Sequence, residues 1–193
     1  MSVGLIVLGV LALIGLILVF SVVGMYNGIV EGKNRVKRAW ADVIAYQVQK
    51  MKVIPELERG MKQYQEFEQG TLQKLTELRS SLGRLSGDVI DPEQLQKVQA
   101  QSQTLFGGLR ATFEAYPNLK TSDLYQKWMK ELAETQSNIT AAITIFNETV
   151  QSFNNALQEF PSNMVNSSLN HETPVKVFSD TAAQAEFEYR SNI

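Results

Sequence analysis

The stretch from Val3 to Val23 reads V-G-L-I-V-L-G-V-L-A-L-I-G-L-I-L-V-F-S-V-V. Its interruptions are all small residues, and the first charged residue of the chain is Glu31. About 20 apolar residues in a helix are long enough to cross the roughly 30 Å of hydrocarbon in a bilayer. The stretch therefore predicts a single transmembrane helix, and we assign residues 1–25 to this anchor.

A cleaved secretory signal and a buried helix of a soluble protein are the two alternatives to a retained anchor. A signal peptide has a basic start, a shorter apolar core of about 7–15 residues and a small-residue cleavage site. Met1 and Ser2 carry no basic side chain, and Val22-Val23-Gly24-Met25 is a poor cleavage site. The sequence therefore favours a retained single-pass anchor.

Basic residues follow the apolar stretch, and none precedes it. The first four are Lys33, Arg35, Lys37 and Arg38. Because Lys and Arg beside a membrane span favour the cytoplasmic side, we expect the N-terminus outside and the rest of the chain in the cytoplasm. The same four side chains are candidates for contact with anionic lipid at the membrane interface. A solvated helix face is the alternative interpretation of each of them.

The composition argues against several classes of function. A formal net charge of −2 lacks the basic excess of a nucleic-acid surface. The chain has no cysteine and one histidine, His171, so it lacks thiolate zinc sites and cysteine nucleophiles. No Gly-rich phosphate loop, H-E-x-x-H pair or G-x-S-x-G elbow occurs. We therefore expect no enzyme, no cofactor, no metal and no nucleic-acid partner.

The residues after the anchor predict long helices separated by turns. Proline lacks an N–H donor and clashes with the preceding helical turn, so we expect the first helix to end near Lys52 and the second to start near Pro55. A sharp kink in one long helix is the alternative. Gly28 and Gly32 lower helix propensity and predict a soft joint behind the anchor. The second helix should run to about Leu85.

Capping residues predict the two helices that follow. Asp91 is a typical N-cap with Pro92 at the first helical position. Gly107-Gly108 predicts a bend in this third helix, and Pro117 should end it. A short loop over 117–121 should lead to the fourth helix, which begins at the capping pair Ser122-Asp123.

The fourth helix has the longest apolar pattern of the soluble part. Its seam alternates in steps of four and three residues through Tyr125, Met129, Leu132, Gln136, Ile139, Ile143, Phe146, Val150, Phe153, Leu157 and Phe160. Such a seam predicts a buried stripe with bundle or coiled-coil packing. The expected fold is therefore all-α, with one transmembrane helix followed by a long antiparallel bundle of about four helices over 26–162.

Polar residues mark the edge of this seam and the segment behind it. Asn147 and Asn154 each follow a seam aromatic and lie seven residues apart. Either they bond to a neighbouring helix and fix its register, or they are solvated. Residues 163–193 should form a C-terminal loop and tail in which Val175, Val177 and Phe178 are an apolar patch for docking. The end of the tail should be a frayed helix or disordered.

Several short motifs occur along the chain in a fixed order, carried by Tyr26, Asn27, Trp40, Pro55, Tyr116, Pro117, Asn147, Asn154, Phe160 and Pro161. Their order and spacing resemble those of the LemA family of bacterial membrane proteins. The resemblance implies an anchor, a long antiparallel bundle and a place in the bacterial inner membrane. The chain departs from the family at Glu56, where Asn is usual, and at Gln136 and Ile143, where the family has a Glu and an Arg.

These features together predict a non-catalytic scaffold or interaction protein held on the membrane. Long anchored helices suit side-by-side packing, so a homo-oligomer is expected, with the bilayer as a further partner. The alternative function is a regulatory or adaptor subunit of a membrane protease or signalling complex, which would bind another membrane protein.

Overall fold

The structure is a computed structural model that describes residues 3–62, 69–115 and 123–179. Every regular element within these residues is helical, which confirms the all-α class and the long apolar N-terminal helix. In chain order the elements are α1 (Val3–Lys62), α2 (Gln69–Gly83), α3 (Pro92–Ala115), α4 (Asp123–Gln158), α5 (Ser162–Val165) and a π-helical turn (Asn166–Asn170).

Helix α1 continues through Pro55, so the predicted break between Lys52 and Pro55 is wrong. The continuous helix of the alternative is observed, and its sharp kink stays a prediction. Proline inside a helix costs about 3 kcal/mol. Val53 and Ile54, the two residues before it, are buried in an apolar core, and burying each such side chain stabilises by about 1.5–3 kcal/mol. Packing therefore outweighs the local penalty.

The chain divides into two compact units, and the first contains Met1–Val36 and Glu148–Lys176. Its buried apolar residues are Ile29, Val36, Val150, Phe153, Leu157 and Val165. A Cβ atom on Gly32 would lie 3.1 Å from Cδ2 of Phe153, so this glycine makes room for the aromatic ring. Gly32 is buried, and both Gly28 and Gly32 lie inside the continuous helix α1, so the soft joint stays a prediction.

The second unit contains Lys37–Asn147 and the chain from Val177 onward. One apolar core is shared by the four helices α1 to α4. Its buried members are Val53, Ile54, Leu75, Leu78, Leu82, Val98, Leu105, Leu109, Trp128 and Leu132. A core built from four helices is what a helical bundle requires; the antiparallel order of the helices stays a prediction.

Helix α3 begins as the sequence predicts. The Asp91 carboxylate accepts a hydrogen bond from the backbone N–H of Gln94 at 2.9 Å, which is the N-cap interaction. Gly107 and Gly108 lie inside α3, which runs without interruption to Ala115. The predicted stop at Pro117, the 117–121 loop and the Ser122 cap lie outside the described residues.

The seam of α4 is buried along most of its described length. Buried members are Leu132, Ile139, Phe146, Val150, Phe153 and Leu157. The prediction is wrong for Phe160, which is 79% exposed. The cause is that α4 ends at Gln158, so Phe160 no longer follows the helical period. In the C-terminal patch Phe178 is buried, and Val177 is exposed.

Replacing Phe153 by alanine removes an aromatic ring from the interior of the first unit. We expect Phe153→Ala to lower the free energy of unfolding by about 3–5 kcal/mol, because the side chain is buried and the site cannot fully collapse. Denaturant unfolding of the protein in detergent measures this. Gln151→Ala is the control: Gln151 is on the same helix and in the same unit but exposed, and its replacement should cost less than about 1 kcal/mol. Equal losses for the two variants would contradict the assignment.

Candidate functional site

The apolar stretch of α1 is exposed over its whole length. All its large apolar residues are exposed, from 38% at Val22 to 77% at Val3. Its most apolar 18-residue window has no buried part, and in the part of the chain that the structure describes α1 is the one helix that is long and apolar enough to cross a membrane. This surface is compatible with a single-pass membrane anchor.

The basic residues behind the stretch fall into two groups. Lys33 forms an ion pair with Glu172 at 2.7 Å, and Arg35 forms one with Glu31 at 3.2 Å. Lys37 and Arg38 are exposed and have no ion-pair partner among residues 3–62, 69–115 and 123–179. Exposed ion pairs contribute only about 0–1 kcal/mol.

Exposed apolar side chains occur in and before the π-helical turn, which contacts α1 shortly after the apolar stretch. The side-chain amide of Asn170 donates a hydrogen bond to the backbone carbonyl of Tyr26 at 3.4 Å. This places the π-helical turn beside α1 three residues after Val23. Phe160, Met164 and Leu169 near this turn are 79%, 60% and 52% exposed. We call these three residues the apolar turn.

Asn147 holds the backbone of the C-terminal segment in the second unit. Its side-chain amide donates to the carbonyl of Phe178 at 2.9 Å, and its side-chain oxygen accepts from the N–H of Phe178 at 2.8 Å. These two hydrogen bonds satisfy both the N–H and the carbonyl of one residue and do not depend on the identity of its side chain. Residues 171–179 have no helical or strand assignment, so their backbone needs partners of this kind.

Two further asparagines repeat this arrangement in the first unit. Asn154 exchanges both hydrogen bonds with Val175, at 2.8 and 2.9 Å, and Asn166 does so with Glu172, at 3.0 and 2.9 Å. The prediction that Asn147 and Asn154 bond to a neighbouring helix is therefore wrong in its partner, and so is the solvated alternative. The partner is an irregular segment that has no period for sequence reasoning to detect.

The three anchored residues Glu172, Val175 and Phe178 are spaced three apart. Asn166 was missed in the sequence because it belongs to a polar cluster that reads as a loop.

Trp40 is the best-fixed residue of the family motif. Its side chain is fully buried, and its indole N–H donates to the carbonyl of Ser86 at 2.8 Å. Its ring lies against that of Phe146, with centroids 5.3 Å apart and planes inclined by 55°. Among the other motif residues that the structure describes, Pro55, Asn147 and Asn154 are half-buried. Tyr26, Asn27, Phe160 and Pro161 are exposed. Tyr116 and Pro117 lie outside the described residues.

Lys50 is a buried charged residue that the sequence analysis did not single out. It is 1% exposed, and its ammonium donates to the side-chain oxygen of Gln136 at 2.8 Å. The same ammonium lies 5.0 Å from the centroid of the Phe106 ring. Burial lowers the pKa of Lys50 from 10.5 to about 8. A cavity of about 320 Å³ lies beside these residues in the second unit.

Comparison with known proteins decides the family. The LemA family model matches residues 39–188. The chain belongs to the LemA family. A relative named Protein LemA, from Metamycoplasma hominis, is 30% identical over 146 residues, which are 76% of this chain and 65% of the relative. The match therefore spans less than two thirds of that LemA protein.

The residues matched by the LemA model include most of the features above. The range 39–188 contains Trp40, Lys50 and all three asparagine pairs, and it excludes the apolar stretch of α1. Among the described residues, no group of three or more His, Cys, Asp or Glu side chains is placed to hold a metal ion.

Removing one asparagine pair should release part of the C-terminal segment. We expect Asn154→Ala to leave both backbone groups of Val175 without their partner, at a cost of about 1–3 kcal/mol, and so to raise the rate of limited proteolysis within 171–179 severalfold. Asn155→Ala is the control, since Asn155 is its exposed neighbour. The assignment fails if the two variants are cleaved at the wild-type rate.

Proposed function

We propose that this LemA-family protein is a single-pass, membrane-anchored helical scaffold without catalytic activity. Its soluble helices lie at the cytoplasmic face of the bacterial inner membrane. The observation that carries the proposal is the uninterrupted exposure of the apolar stretch at the start of α1. In water this surface would remain hydrated, whereas in lipid each buried Leu, Ile or Val contributes about 1.5–3 kcal/mol.

The continuity of α1 supports a short and stiff attachment to the membrane. The helix runs from Val3 to Lys62 without a loop after the apolar stretch. A residue in α-helix advances about 1.5 Å, so Trp40 comes about 25 Å along the helix after Val23. Lys37 and Arg38, which lack carboxylate partners among the described residues, lie within this distance and favour a cytoplasmic position for it.

The apolar turn supports a second contact with the bilayer. Leu169 is exposed beside Asn170, which bonds to Tyr26 three residues after Val23, and Phe160 and Met164 are exposed in the residues that precede it. Aromatic and large apolar side chains near a membrane surface sit favourably in the membrane interface. The apolar turn would then hold the first unit against the lipid surface.

A shallow cavity in the second unit supports packing against another helix. It has a volume of about 270 Å³ and is lined by Ala39, Asp42, Tyr46, Asn138, Ala141, Ala142 and Ile145. Small residues permit close approach, and Ile145 is 56% exposed beside them. We propose a second copy of this chain as the occupant. A helix of another membrane protein is the alternative, and it would make the protein an adaptor subunit of a protease or signalling complex.

The topology can be tested with introduced cysteines, because the chain has none of its own. In intact spheroplasts we expect a membrane-impermeant maleimide to label Ser2→Cys, and to label Gln151→Cys only after lysis. Gln151 is exposed in α4, so its protection would come from the membrane. The cysteine-free wild type is the control. Labelling of Gln151→Cys before lysis, or recovery of the chain in the lipid-free soluble fraction, would contradict the proposal.

Self-assembly is tested by the mass of the protein extracted in a mild detergent. We expect more than one copy for the wild type and a single copy for Ile145→Glu, because a charge would be buried at the contact. Thr144→Glu is the control, since Thr144 is exposed but does not line the cavity. A single copy bound to another membrane protein would favour the adaptor function. A single copy alone at high concentration would overturn self-assembly.

A further inference from the structure

The proposed role as a membrane scaffold does not explain why the ammonium of Lys50 is buried. A lysine ammonium offers three donors, and this one has a single acceptor, the neutral amide oxygen of Gln136, within the described residues. The face of the Phe106 ring adds a weak attraction at 5.0 Å. No carboxylate of the described residues lies within ion-pair distance of Lys50. A buried charge without a counter-charge is costly.

The cavity beside Lys50 has the chemistry to receive an anion. Its lining is Lys50, Gln103, Phe106, Gly107, Arg110, Met129, Leu132, Ala133 and Gln136. Two of these side chains are cationic, two are amides and none is acidic; the others are apolar or have little or no side chain. Gln136 and Phe106, which hold the ammonium, both line the cavity, so the charge lies at its wall.

Three helices build this lining. Lys50 comes from α1, and Phe106 and Arg110, four residues apart and so on one helix face, come from α3. Met129, Leu132 and Gln136 come from α4. At about 30 Å³ per water, the cavity of about 320 Å³ has room for a ligand of about ten non-hydrogen atoms. Phe106, Met129, Leu132 and Ala133 form the apolar part of the lining, against which an apolar body of the ligand can pack.

We propose that this cavity binds a small organic anion whose carboxylate pairs with Lys50 and whose compact apolar body packs against Phe106, Met129 and Leu132. The carboxylate supplies the counter-charge that the described residues do not provide. Charge-assisted hydrogen bonds of this kind are about twice as strong as neutral ones. The inference uses the second unit only and does not depend on the membrane proposal.

The probe is 4-fluorobenzoate, a carboxylate of the required size, observed by fluorine NMR with the full chain in lipid nanodiscs. Empty nanodiscs give the background from partition into lipid. We expect saturable binding with a Kd of about 1 mM or tighter, in the range open to a ligand of this size. The neutral analogue 4-fluorobenzamide should bind at least tenfold more weakly.

Two variants and one control locate the site. Lys50→Met should weaken 4-fluorobenzoate binding at least tenfold while the helix content stays unchanged, because an apolar residue of similar length suits a buried position. Ala133→Phe keeps the lysine but fills part of the cavity, and should also weaken binding. Lys52→Met, at an exposed position two residues away, should bind as the wild type does.

The pH dependence adds a separate readout. The Lys50 ammonium, with its pKa of about 8, loses its proton between pH 7 and 9.5, while Arg110 stays charged. Affinity for 4-fluorobenzoate should therefore fall over this range in the wild type. Absence of saturable binding, equal affinity in Lys50→Met, or tighter binding of inorganic phosphate than of 4-fluorobenzoate would overturn the proposal.

Discussion

The exposed apolar surface of α1 is the constraint on which the rest of the molecule depends. From Val3 to Val23 none of the residues that the structure describes buries it, so a lipid environment would satisfy it where water does not. The same helix then supplies Ile29, Trp40 and Ile54 to buried positions. The apolar stretch and these buried residues therefore belong to one helix without a loop between them.

Periodicity and capping made much of the fold predictable. The α4 seam and the Asp91 cap depend on residues close in sequence, so local rules identify them. The predicted break at Pro55 was wrong because the burial of Ile54 depends on tertiary packing, which local sequence rules do not describe. The burial predicted for Phe160 was wrong because the helix ends too early. Phe160 continues the apolar period of α4 in the sequence, but the helix ends at Gln158.

The candidate sites were less predictable, for two physical reasons. Sequence spacing selected Asn147 and Asn154, but their partner is an irregular segment whose backbone, not its side chains, makes the contact. Such a contact leaves no signature in the partner's residues. The burial of Lys50 could not be predicted from the sequence because lysine is normally exposed on a helix. Its burial depends on how α3 and α4 pack around α1.

The interior of the second unit contains buried polar side chains as well as its apolar core. Within the described residues, Gln47, Gln99 and Ser102 bury side-chain polar atoms that have no hydrogen-bond partner. Gln47 lies three residues before Lys50 on α1, so both fall on one face of the helix. Each unpaired polar atom costs about 1–3 kcal/mol, and apolar residues would avoid that cost. These polar atoms lie in the same unit as the cavity beside Lys50, but none of the three side chains lines it.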